Sequence, residues 1–303
     1  MNIPFIKYSK IWLIFSATVA ALCLVVLIMW GLKPGIDFTG GSLMEMSFEK
    51  TRPAIAEAQK IFDELDLKNV VLQPAGENGL VARMSFLSEE KHQQVLKKIN
   101  ETFGQNNKIT EKSFETIGPS ISQQLRQRSL WAIILVSLGI ILYVAYAFRK
   151  VSRPVASWKY GALAIVGVMH DLLLVTGIFA VLGHFRGVEV DTAFIVALLT
   201  ILGYSIHDNI VVYDRIRENL LRRSAGDFAD TVNFGLNQTL MRSINTTVAT
   251  LLPLIALYIF GGATIHYFVL ALLIGIASGA YSSIFIASPL LAMVEAWQRR
   301  KVA

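Results

Sequence analysis

The chain has 303 residues, 54% of them hydrophobic and 17% charged, with a formal net charge of +6. A soluble protein of this length carries more charge, so the composition points to a membrane-embedded chain and away from a soluble globular enzyme. The positive balance does not signal nucleic acid, because most basic residues stand just beyond the ends of apolar blocks, where they set topology. Cys23 is the only cysteine, which rules out an intramolecular disulfide.

Lys7 and Lys10 precede the first apolar block, Ile11–Trp30, much as basic residues open a signal peptide. The run continues without a small-residue cleavage site before Lys33-Pro34, so an uncleaved anchor is expected. The next stretch, roughly 35–128, reads as a soluble domain. It opens on Gly35-Ile-Asp-Phe-Thr-Gly-Gly41, whose glycines beside Asp37 and Thr39 suit a tight turn more than a substrate contact. Met44, Met46 and Phe48 alternate with Glu45 and Ser47 at the period of a half-buried strand. Thr51-Arg-Pro-Ala then predicts a capped helix with Ile55, Ala58, Ile61, Phe62 and Leu65 on its apolar face. Val70–Gln73 and Leu80–Phe86 read as strands around a glycine turn, Ser88-Glu-Glu starts a second helix, and 108–117 a last strand. That order, βαββαβ, predicts a ferredoxin-like α+β domain.

Five further blocks are long enough to span, at about 20 residues each: Leu130–Phe148, Tyr160–Leu182, Ala193–Tyr213, Ile244–Phe260 and the over-long Ile265–Met293. The expected organisation is residues 1–34 (N-terminus and first span), 35–128 (extracytoplasmic domain) and 129–303 (spans two to six, with a cytoplasmic loop over 214–243). Lys7 and Lys10, then Arg149, Lys150, Arg153 and Lys159, then Arg215, Arg217, Arg222 and Arg223, and finally Arg299, Arg300 and Lys301 all fall on one side. The positive-inside rule then makes both termini cytoplasmic and places the domain outside.

Asp208 lies inside the fourth block, in Ile201-Leu-Gly-Tyr-Ser-Ile-His-Asp-Asn-Ile-Val-Val-Tyr213. A carboxylate there costs about 2.5–3.5 kcal/mol on insertion scales, which makes it a candidate proton or ion relay. The alternative is a structural carboxylate bonded to a neighbouring helix. Arg242, in Gln238-Thr-Leu-Met-Arg-Ser-Ile-Asn-Thr-Thr247, enters the fifth block near the level expected for Asp208. If the two meet, the arginine favours the charged carboxylate while desolvation favours the neutral one, which makes a two-state switch. Arg242 read alone is equally a residue snorkelling to the interface. His170 and Asp171, mid-way along the third block, form either a proton-passing pair or a satisfied packing pair, and depth counting sets Asp171 roughly 10 Å from Asp208. His207 points about 100° away from Asp208 around the helix. Thr246, Thr247, Thr250, Ser278, Ser282 and Ser283 stripe the last two spans, and Gly275 and Gly279 give a small-xxx-small packing face.

No phosphate-binding Gly-x-x-x-x-Gly-Lys motif, zinc-spaced His/Cys cluster or nucleophile elbow appears in the chain. The sequence therefore predicts no cofactor and no enzymatic reaction, and an energy source in a gradient or a partner.

Gly35–Gly41, His170-Asp171, Gly203-Tyr-Ser-Ile-His-Asp-Asn-Ile-Val-Val-Tyr-Asp-Arg-Ile-Arg-Glu-Asn219 and Thr239-Leu-Met-Arg-Ser-Ile-Asn-Thr-Thr247 together resemble the SecF family over essentially the whole chain. These are the smaller subunits of the bacterial SecDF translocation complex, in the resistance-nodulation-division (RND) superfamily. The resemblance implies six transmembrane helices forming half of an RND-type bundle, with one extracytoplasmic domain, in the bacterial inner membrane. It implies SecD, the SecYEG channel and an emerging preprotein as partners, and the proton-motive force as energy source. It also implies that Asp208 and Arg242 belong to the proton path. The chain departs from the family pattern at His207 and Asn209, where asparagine and threonine are common. An RND-type exporter half for small molecules or lipids, and a non-transporting assembly factor, are the alternatives.

Overall fold

Apolar blocks of spanning length satisfy their backbone in hydrocarbon by forming helices, and here they do. The computed structural model describes residues 3–67, 70–104, 107–147, 155–222 and 227–302. Arg149, Lys150, Arg153 and Arg223, which carry part of the orientation argument, lie outside these. The chain divides into two units, Pro34–Ser129 and a bundle formed by Met1–Lys33 with Leu130–Ala303.

The bundle is built from α1 (Ser9–Trp30), the later part of α5 (Pro119–Ala147), α6 (Ser157–Arg186), α7 (Thr192–Arg222), α8 (Phe228–Phe260), α9 (Ala263–Ser282) and α10 (Ser288–Val302). Six helical stretches are long and apolar enough to cross a membrane, the last running from α9 through α10. Their burial is unequal. In α6, α7 and the last stretch 44%, 50% and 61% of the most apolar window is buried, against 6%, 6% and 11% in α1, α5 and α8. The interior is therefore α6, α7 and α9, and the other three spans present apolar side chains outward.

Two boundaries differ from the sequence pattern. The expected loop over 214–243 is largely helical, because α7 continues to Arg222 and α8 begins at Phe228, sixteen residues before its apolar block. Buried Tyr213, Ile216, Val232 and Leu236 continue the core through this polar region. The chain's beginning is tied down at the same end: Ile3 N–H donates to Asn237 Oδ1 at 2.8 Å, and Asn237 Nδ2 donates back to the Ile3 carbonyl at 2.9 Å. Between α9 and α10 the helix widens into a π-helical turn, Ser283–Ala287, which accommodates one extra residue without leaving the helix. Two hydroxyls answer its carbonyls, Ser288 donating to Ser283 O at 2.8 Å and Tyr213 to Ala287 O at 3.3 Å.

The other unit has the βαββαβ order: β1 (Gly41–Phe48), α3 (Ile55–Glu64), β2 (Val71–Ala75), β3 (Gly79–Met84), α4 (Glu89–Phe103) and β4 (Ile109–Ile117). The strands lie in the order β2-β3-β1-β4 with every neighbour antiparallel, the ferredoxin-like arrangement. Met44, Met46 and Phe48 of β1 face a core completed by Ile61 and Phe62 of α3 and Val95 and Ile99 of α4. The first helix starts at Ile55 rather than at Thr51, since Pro53 holds the residue before it out of the helical region. The segment is instead fastened by Asn107, which accepts from Lys50 N–H at 2.7 Å and donates to the Thr51 carbonyl at 2.9 Å. The Gly35–Gly41 motif forms a single helical turn, α2 (Ile36–Thr39), with the Thr39 hydroxyl donating to the Gly35 carbonyl at 3.0 Å. Gly41 has φ +124°, and a Cβ there would lie 2.6 Å from the Met84 carbonyl oxygen, so only glycine fits where β1 begins.

Gly275 and Gly279 lie against α7. A Cβ at Gly279 would sit 3.1 Å from Ser205 Cβ, and one at Gly275 would run into the Ile201 side chain. Gly275→Leu is expected to lower stability by about 1–3 kcal/mol through overpacking. Adding Ile201→Ala should recover most of the loss. Thermal unfolding of the single and double variants in nanodiscs measures this coupling.

Candidate functional site

Three carboxylates or carboxylate neighbours single out the bundle interior, and the fold treats them differently. Asp171, on α6, is fully buried. It accepts three hydroxyl hydrogen bonds: Ser205 of α7 to Oδ2 at 2.7 Å, Ser278 of α9 to Oδ1 at 2.5 Å and Ser282 of α9 to Oδ2 at 2.7 Å. His170 Nδ1 approaches Asp171 Oδ1 at 3.5 Å, yet neither ring nitrogen has a hydrogen-bond partner among the described residues. Asp171 is thus the acceptor at which the three interior helices are joined. Ser278 and Ser282 belong to the hydroxyl stripe legible in the sequence, four residues apart on one face. Ser205 carried no separate signal, since only the packing of α6 on α7 reveals its partner.

Asp208 sits one turn along α7 from Ser205 and is 3% exposed, so its carboxylate points inward. Its Oδ2 is buried with no hydrogen-bond partner among the described residues. The same is true of Asn209 Oδ1, and on α8 of Ser243 Oγ and Thr247 Oγ1. Asn209 spends its amide on its own helix, donating to the Ser205 carbonyl at 3.0 Å. His207 is exposed and faces away from this interior. Because Ser205 is level with Asp171, the two aspartates differ in depth by three residues, about 5 Å, rather than the 10 Å counted from block ends.

Arg242 does not pair with Asp208: no ion pair within 4.0 Å joins them among the described residues, and the arginine is exposed. Two cross-helix hydrogen bonds fix why. Tyr204 and Thr250 hydroxyls meet at 3.3 Å, and Asn219 donates to Gln238 at 3.0 Å. Counting along the antiparallel helices from these anchors puts Arg242 roughly 6–10 Å nearer the terminal end than Asp208. There it lines a cavity of about 220 Å³ with Val211, Asp214, Arg215, Glu218 and Gln238. The two acids are engaged by arginines of α7, Arg217 with Asp214 at 2.9 Å and Arg215 with Glu218 at 2.7 Å. That leaves Arg242 as a guanidinium without an acidic partner among the described residues, one to two turns below a carboxylate oxygen without a donor.

Asp37, Thr39, Gly35, Gly40 and Gly41 lie in the other unit and serve the turn described above. Gly275 and Gly279 pack the helix that carries Ser278 and Ser282 against the helix that carries Ser205 and Asp208. The structure therefore groups Asp171, His170 and Asp208 in one interior, and separates Arg242 and His207 from it.

Family models match along the chain: that for the protein export membrane protein SecD/SecF, C-terminal, over residues 95–297, and that for the SecD/SecF GG motif over residues 31–51. The protein translocase subunit SecF of Thermobaculum terrenum is 43% identical over 303 residues, covering 95% of this chain and 93% of that one. The SecF of Vibrio alginolyticus is 36% identical over 95% of this chain and 89% of its own. The protein translocase subunit SecDF of Thermus thermophilus is 37% identical over 94% of this chain, which spans only 37% of that longer protein. Its crystal structure superposes with a TM-score of 0.82 at 33% identity, covering 99% of this chain and 39% of that one. A second SecDF structure, in a super-membrane-facing form, gives a TM-score of 0.69. Sequence, span number and fold agree, and the chain belongs to the SecF family of multi-pass membrane subunits of the protein translocase.

Proposed function

We propose that this chain works with a SecD partner as half of a proton-driven motor that helps draw preproteins out of the SecYEG channel, with both termini cytoplasmic. One observation carries the reading. Of two aspartates buried in the same interior, Asp171 is saturated by three hydroxyls while Asp208 keeps an oxygen without a donor. A carboxylate already holding three hydrogen bonds gains little from a proton. One with a bare, buried oxygen changes its environment markedly when it gains or loses one. The longer SecDF relatives, in which one chain includes a region matching this one, support SecD as the partner.

In this reading an ionised Asp208 draws Arg242 along the α7–α8 boundary, and a protonated one releases it. Bringing them together needs a shift of α8 relative to α7, which turns a proton into a displacement. A charge crossing 100 mV is worth about 2.3 kcal/mol, enough to bias such an equilibrium by tens-fold. Energy therefore comes from the gradient, with no cofactor.

Proteoliposomes carrying the channel, SecD and Asp208→Asn should assemble normally yet lose gradient-stimulated preprotein release. Stimulation equal to the wild type, with the complex intact, overturns the proposal. Asp171→Ala should behave in the opposite way. It strands three hydroxyls, at about 2–5 kcal/mol in total for membrane hydrogen bonds, so its expected defect is a lowered unfolding temperature and poor recovery of the complex. Size-exclusion chromatography and thermal unfolding of the two variants side by side check the contrast.

A further inference from the structure

Of the hydroxyls on residues 239–250 of α8, three are spent on the helix itself and two are not. Thr239, Thr246 and Thr250 each donate at 3.0 Å to the carbonyl four residues back, those of Gly235, Arg242 and Thr246. Ser243 and Thr247 make no such bond. They are 1% and 7% exposed, and their oxygens have no hydrogen-bond partner among the described residues. A buried hydroxyl with its donor and acceptor capacity unspent is costly unless something else uses them.

Their direction follows from helix geometry. Tyr204 of α7 touches α8 through Thr250, and Ser205 lies against Gly279 of α9. At about 100° per residue, Asp208 falls between those two directions and so faces the gap between α8 and α9. On α8, Ser243 and Thr247 fall between Thr250 and Tyr258, whose ring stacks on His266 of α9 with centroids 4.2 Å apart. The hydroxyls and the carboxylate thus look into one crevice, bounded by α7, α8 and α9.

Depth completes the arrangement. The Tyr204–Thr250 and Asn219–Gln238 bonds set the register of α7 on α8. Counting between them puts Thr247 within about two residues, or 3 Å, of the level of Asp208. Ser243 is one turn nearer the cavity of about 220 Å³, and Thr239, one turn further again, belongs to the cavity wall. Each step of four residues is about 6 Å, a gap that one water closes with two hydrogen bonds.

We propose that Ser243 and Thr247 carry protons between that cavity and Asp208. Each hydroxyl, or the water beside it, gives its proton forward as it takes one from behind. One proton leaves the cavity water, one arrives on a carboxylate oxygen of Asp208, and no hydroxyl is left charged. Release runs the same steps backward. A hydroxyl already donating to its own helix cannot turn its O–H to this task without breaking that bond, which sets these two apart from Thr246 and Thr250. The inference rests on the motor reading, in which Asp208 exchanges a proton, and adds the route by which that proton travels.

The test separates hydroxyl from shape. Thr247→Val keeps the shape and loses the hydroxyl, Thr247→Ser does the reverse, and Ser243→Ala removes the other hydroxyl. Gradient-stimulated preprotein release is measured in proteoliposomes holding the channel, SecD and each variant, beside Asp208→Asn. Thr247→Val and Ser243→Ala should each lower the stimulation at least fivefold, while Thr247→Ser keeps at least half of it. In nanodiscs the two hydroxyl-free variants should unfold at no lower temperature than the wild type, since each removes an unpartnered buried polar group. Full stimulation by either of them, while Asp208→Asn loses it, overturns this inference and leaves the motor reading standing. The pattern of a packing role, with Thr247→Val active and Thr247→Ser impaired, overturns it equally. Stimulation by Asp208→Asn equal to the wild type overturns both.

Discussion

Everything in the bundle interior depends on one buried acceptor. Asp171 costs several kcal/mol to bury as a charge unless it is hydrogen-bonded on all sides, and three helices must come together to supply the donors. Ser205 comes from α7, Ser278 and Ser282 from α9, and Asp171 itself from α6. Lipid offers no hydrophobic drive to bring helices together, so polar contacts and close small-residue packing take that role. Gly275 and Gly279 allow the approach and the serines fix its register. The orientation of α7, and so the inward direction of Asp208, follows from that junction.

The two interior aspartates show how one residue type is given two environments by its neighbours. Around Asp171 three hydroxyls occupy both carboxylate oxygens, and the site resists change. Around Asp208 the interior is unsatisfied: Asp208 Oδ2 and Asn209 Oδ1 lack a donor, and on α8 the buried Ser243 and Thr247 hydroxyls lack a partner among the described residues.

The fold was largely legible because its signals are local. Long apolar runs gave the six spans, and the alternation of Met44, Met46 and Phe48 with the turn at Gly76–Gly79 gave the domain. Asp208 was visible for the same reason, as a charge where neighbouring residues exclude one. Depth was not legible. Counting from the ends of apolar blocks set Arg242 beside Asp208, but α8 begins at Phe228, and its register is set by Tyr204 with Thr250 and Asn219 with Gln238. Those are long-range contacts between ordinary polar residues, and no spacing within either helix encodes them. Ser205 was hidden in the same way.

The π-helical turn at Ser283–Ala287 sets a phase relation along the last stretch. Each residue advances a helix by about 100°, so the extra one determines which faces of α9 and α10 look the same way. With it, Ser278 and Ser282 reach Asp171 while, further on, Leu291 enters the core and Arg299 meets Asp227 at 2.7 Å and Glu295 at 2.9 Å. A chain shorter by one residue here would stay helical, and as apolar as before, but could serve only one end of that stretch. The spare residue is what lets a single continuous helix answer two separate sets of partners.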